Sequence, residues 1–73
     1  MMYRIIFHLN TESINLLQDL EIDFTKQNIN NNEYLTVIKY CKESSLELSN
    51  EDLCSILLGN EFNEFLDYIK KVY

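Results

Sequence analysis

The sequence has no proline, one glycine (Gly59), one histidine (His8) and two cysteines (Cys41 and Cys54) among its 73 residues. A single glycine cannot build a glycine-rich phosphate loop, in which several glycines let backbone amides close on a phosphate. The cysteines lack the CxxC spacing of redox and zinc sites, and each stands among apolar neighbours, so packing in a core is their expected role. Basic residues are scarce: Arg4, Lys26, Lys39, Lys42, Lys70 and Lys71 face twelve Asp and Glu, for a formal net charge of −6. Phosphate recognition depends on cations that displace condensed counterions, and these six form no basic stripe. Direct nucleic-acid binding is therefore disfavoured. Long apolar runs are missing too, the longest being triplets such as Ile5-Ile6-Phe7 and Ile56-Leu57-Leu58, against the roughly 20 residues a membrane span needs. Near the start Arg4 is the only charge and the apolar stretch breaks at His8, which does not read as a secretory signal; a cytoplasmic location is the expectation.

What the chain does contain is a globular composition, 47% hydrophobic and 25% charged, which argues against wholesale disorder. Residues 1–73 are expected to form one compact domain. At this size folding hides only about 60% of the unfolded chain's surface, so a partner surface helps to stabilise it.

With few hard breaks, capping residues and periodicity must divide the chain. From Met2 to Leu9 the residues alternate, with Tyr3, Ile5, Phe7 and Leu9 on one face and Met2, Arg4, Ile6 and His8 on the other, which predicts a strand over 2–9. Asn10 and Thr11 offer N-cap oxygens, and Ile14, Leu17 and Leu20 follow at helical spacing, predicting a short helix over 11–19. Leu20, Ile22 and Phe24 alternate with Glu21, Asp23 and Thr25, which fits a second strand over 20–26 with a continued helix as the competitor. Asn28, Asn30, Asn31 and Asn32 mark a turn. Beyond it, Tyr34, Val37, Ile38 and Cys41 match i, i+3, i+4, i+7 and predict a helix over 33–43, despite the β-branched run Thr36-Val37-Ile38. Ser49 caps a helix over 50–58, which Gly59 ends in a left-handed C-cap. Phe62, Phe65, Leu66, Ile69 and Val72 form one stripe of a last helix over 61–72, with Lys70 and Lys71 at its C-terminal end. The expected architecture is α+β: a two-stranded sheet, a short first helix, and three C-terminal helices packed on one face.

Few of these residues can carry catalysis. His8 falls on the outer face of the first strand, and a nucleophilic partner at Cys41 or Cys54 would have to reach it from a buried position. Zinc finds three soft ligands at unrelated spacings. An EF-hand-like loop starting at Asp19 fails at Phe24, where the sharp turn needs glycine, and at Asn30, where a bidentate Glu belongs. No metal, no cofactor and no enzymatic activity are expected.

The remaining signal is charge. Seven acidic residues and no basic one lie between Glu43 and Asp67. First helical turns favour acids through the dipole, which accounts for Glu51, Asp52, Glu61 and Glu64 as ordinary helix chemistry. It leaves the absence of interspersed lysine unexplained, because solvated faces usually mix signs. A row of Glu61, Glu64 and Asp67 edged by Tyr68, with Glu47, Glu51 and Asp52 nearby and Tyr40 on the preceding element, is the candidate partner-binding surface. Its expected role is non-enzymatic: a small acidic inhibitor that occludes a basic, nucleic-acid-handling protein or nucleoprotein surface, as in phage anti-defence proteins, immunity proteins or antitoxins. The alternative is a regulatory or structural module that self-associates through Ile6, Met2 and the outward tyrosines, its acids serving only solubility.

Overall fold

Alternation sets the first strand, β1 (Met2–His8), whose Tyr3, Ile5 and Phe7 are buried on one side. In the computed structural model, which describes residues 2–41 and 48–72, β1 is a central strand of a four-stranded antiparallel sheet. Helix α1 (Thr11–Asp19) follows, as its sequence predicts, with the Asn10 side chain accepting a 2.7 Å hydrogen bond from the Glu12 amide. The helix stops in a Schellman-type turn: the Ile22 amide donates to the Leu17 carbonyl, the Glu21 amide to that of Gln18, and Glu21 takes a left-handed φ of 56°. That stop corrects the strand expected over 20–26. The second strand, β2 (Thr25–Ile29), starts only where the chain has left the turn. Asn30 and Asn31, at φ 52° and 69°, make the two-residue hairpin loop to β3 (Asn32–Tyr40).

β3 corrects the helix expected over 33–43, of which residues 42 and 43 lie outside the described residues. It pairs with β2 on one side and β1 on the other, with Val37 opposite Ile5 and Leu35 opposite Phe7. The β-branched run Thr36-Val37-Ile38 suits this position, where branched side chains pack against neighbours on a pleated surface. Helix α2 (Asn50–Leu57) forms where expected, the Ser49 hydroxyl accepting from the Asp52 amide at 3.2 Å. Gly59 is not its left-handed cap. Its φ of 137° and ψ of 158° lead instead into a 3-10 helix, Asn60–Phe65, followed by β4 (Leu66–Val72) on the free side of β1. The last helix expected over 61–72, with Lys70 and Lys71 at its end, is therefore a single 3-10 segment and an edge strand. In place of two strands and three C-terminal helices the described residues form four strands, two α-helices and the 3-10 helix.

The strand order is β2-β3-β1-β4, with elements in the succession β-α-β-β-α-β, the split βαβ or ferredoxin-like arrangement. Leu17 of α1 and Cys54 of α2 share one buried cluster with Ile5, Phe7, Leu35, Val37 and Phe62, so both helices cover the same face of the sheet. No described element covers the opposite face. Among the described residues no helix is long and apolar enough to cross a membrane.

Candidate functional site

The acidic residues are sorted by element. α1 carries Glu12 and Asp19, α2 carries Glu51 and Asp52, and the 3-10 helix carries Glu61 and Glu64; none of the three contains a lysine or arginine. All five described cations (Arg4, Lys26, Lys39, Lys70 and Lys71) stand on strands. Both helices lie on one side of the sheet, so the described helical elements form an acidic layer, while the register turns Lys26, Lys39 and Lys71 of the sheet towards that same side. The 3-10 geometry keeps part of the expected acidic row: at three residues per turn positions i and i+3 eclipse, so Glu61 and Glu64 share one edge while Phe62 packs inward, fully buried. Asn63 fixes this segment to α2, its amide donating 2.9 Å to the Ser55 hydroxyl.

The rest of the expected row is dispersed. Asp67 is the extra residue of a β-bulge: Leu66 pairs with Phe7 and Tyr68 with Ile6, leaving Asp67 between them. Its Oδ1 lies 3.2 Å from Nε2 of His8 rather than beside Glu64, and His8 in turn packs against the Tyr34 ring at 5.6 Å between centroids. Tyr68 and Tyr40 belong to the uncovered sheet face, away from the helical acids. Glu47 lies outside the described residues. The site read from sequence is thus two places: Glu51, Asp52, Glu61 and Glu64 on the helical layer, and Asp67, Tyr68 and Tyr40 on the sheet.

That sheet face is the surface which helical periodicity concealed. Across the strands from β2 to β4 the register lines up Thr25, Thr36, Ile6 and Tyr68; beside this row stand Ile38, Arg4 and Lys70, and beyond them Tyr40, Met2 and Val72. Met2, Ile29, Ile38, Tyr40 and Tyr68 account for five of the nine large apolar or aromatic side chains exposed among the described residues. Ile6 at the centre is only 2% exposed, closed in by its neighbours on the sheet. Arg4 and Lys70 sit directly opposite each other, an arrangement that is repulsive unless an acid intervenes. Neither makes an ion pair among the described residues, and Arg4 Nε is buried with no hydrogen-bond partner there. A cavity of about 210 Å³ opens where β2 runs out beside β3, lined by Asp23, Phe24, Thr25, Thr36 and Ile38. The Thr36 hydroxyl is engaged there, donating to Gln27 Oε1 at 3.1 Å.

Cys54 and His8 are on opposite sides of the sheet. Burial, and secondarily the negative charge of Glu61, pushes the Cys54 thiol up from 9.0 to about 11, so it is protonated at neutral pH and a poor nucleophile. No cluster of three or more His, Cys, Asp or Glu able to hold a metal ion occurs among the described residues. Compared with protein-family models, curated proteins and solved structures, the chain matches none.

Proposed function

We propose that the protein is a non-enzymatic binding protein whose acidic helical layer occupies a basic, nucleic-acid-handling surface of a protein or nucleoprotein, acting in the cytoplasm by stoichiometric occlusion. The observation that carries this reading is the sorting of charge: six acids and no cation on the described helical elements, with every described cation on the sheet. Single-sign clustering costs stability through self-repulsion, and complementary potential at a partner offsets that cost by speeding encounter and excluding wrong partners. Glu51, Asp52, Glu61 and Glu64 form the contact set; their isosteric amides keep shape and remove charge. A basic nuclease or nucleoprotein retained from host lysate at about 50 mM salt, released by about 500 mM and displaced by duplex DNA, is the expected result, because screening within a Debye length abolishes exposed charge pairs. The combined variant Glu51→Gln, Asp52→Asn, Glu61→Gln, Glu64→Gln should retain none of it. Retention that ignores both salt and these four substitutions would exclude the reading.

A further inference from the structure

We propose that the uncovered sheet face binds a second copy of the chain, sheet against sheet, about a two-fold axis running along the strands between β3 and β1. This inference does not depend on the acidic helical layer, which such a dimer leaves facing outward on both sides. Strand register sets which residues meet. An axis in that position lays β2 of one copy over β4 of the other and β3 over β1. Lys70 of one copy then falls on the Asp23 cavity of the other, with its ammonium at the carboxylate and its stem along Ile38. Arg4 falls over Ile38 and beside the same Asp23, so its positive charge also faces that carboxylate. One row further, Tyr40 meets Met2, a sulfur–aromatic pair. The face is therefore complementary to itself in charge as well as in apolar character.

Other occupants fit less well. An axis crossing the strands would lay β1 on β1 and β4 on β4 and bring the Arg4–Lys70 pair towards its own copy. Among the described residues a polyanion would find only these two cations on this face, and the chain carries a net charge of −6. Strand spacing and rise give a face of about 19 by 23 Å, or about 440 Å² in projection. That is roughly half of the ~800 Å² per partner of a standard interface, which sets the dimer among the weak, transient ones.

Sedimentation velocity from micromolar to millimolar protein tests this directly. A reversible monomer–dimer equilibrium is expected. Lys70→Asp and Asp23→Lys, both at exposed positions, should each weaken it at least tenfold with circular dichroism unchanged, and the two substitutions together should restore it. The same samples are titrated with a fluorescent single-stranded oligonucleotide. A protein monomeric throughout, a dimer indifferent to the single substitutions, a double variant that stays weak, or a monomer that binds the oligonucleotide through Lys70 would each overturn the proposal.

Discussion

Truncating Phe62 is the perturbation that most sharply separates the observed C-terminal segment from the helix its periodicity suggests. The ring is fully buried and packs on Phe7 with 5.8 Å between centroids at 43°. A buried Phe→Ala change costs about 3–5 kcal/mol, which includes the cavity left behind. A chain of this length is stable by about 4–11 kcal/mol, at roughly 0.05–0.15 kcal/mol per residue. Phe62→Ala should therefore remove between about a quarter and all of the folding free energy. Phe62→Leu keeps most of the volume and should cost about 1–2 kcal/mol, which keeps the effect measurable if the alanine variant is largely unfolded. Phe65 is only partly buried and Ile56 is 63% exposed, so Phe65→Ala should cost clearly less and Ile56→Ala within about 0.5 kcal/mol of nothing. Urea unfolding followed by circular dichroism gives all four values, with the slope m checked for constancy. In a helix over 61–72, Phe62 and Phe65 would sit in one stripe and cost similar amounts. Equal costs for the two, or a Phe62→Ala penalty under about 1 kcal/mol, would refute the packing argued here. Because Phe62 lies between Glu61 and Glu64, the variant should also disorder the acidic edge and weaken any contact made through it.

Gly59→Ala should cost about 1–3 kcal/mol, since φ 137° with ψ 158° is a region that essentially only glycine occupies. An added Cβ would also stand 2.7 Å from Glu61 Oε2, but that carboxylate ends a flexible side chain. Glu61→Ala in the Gly59→Ala background should thus recover little of the lost thermal stability, and full recovery would place the cost in the clash rather than the backbone. For Cys54, the folded thiol ionises near 11 against 9.0 for an ordinary one, so its contribution is fully present below pH 9 and is lost as pH rises towards 11. The stability gap between the native chain and Cys54→Ala should narrow over that window by an amount on the order of 2 kcal/mol; a gap constant from pH 8 to 11 would contradict the burial assigned to the thiol.

β1, the start of α1 and the asparagine turn were legible because each signal there had one reading. Strict alternation marked β1, Asn10 marked the start of α1, and the asparagine cluster marked the turn at Asn30–Asn31. Elsewhere the periods were counterfeited. The bulge at Asp67 inserts one residue into β4, so Leu66 and Ile69 reach the same core face although three apart, the spacing that a helix would give. In β3 both faces are apolar in part, with Leu35 and Val37 in the core and Tyr34, Ile38 and Tyr40 on the open side, so alternation between polar and apolar vanishes. At Glu21 a non-glycine residue takes the left-handed turn that ends α1, leaving no glycine in the sequence to announce the stop. The acid-rich, lysine-free stretch was visible throughout; its division between two surfaces was not, because the step of three from Glu64 to Asp67 holds only if the helix continues.

Placement of the cations on strands has a plain explanation that covers only part of it. Lysine on an edge strand blocks edge-to-edge aggregation, and both edges carry it: Lys26 on β2, Lys70 and Lys71 on β4. Arg4 is different, because β1 is paired on both sides and needs no such guard. Its guanidinium is placed opposite Lys70 with a buried Nε that has no partner among the described residues, a local cost. An acid brought from outside the face offsets the repulsion between the two cations, and the register that carries Arg4 and Lys70 to Asp23 of a second copy brings one without new side chains. Replacing Arg4 by an apolar residue of similar length should therefore leave the monomer as stable or more so, while weakening the dimer, and a large loss of monomer stability would show that the arginine serves the sheet itself.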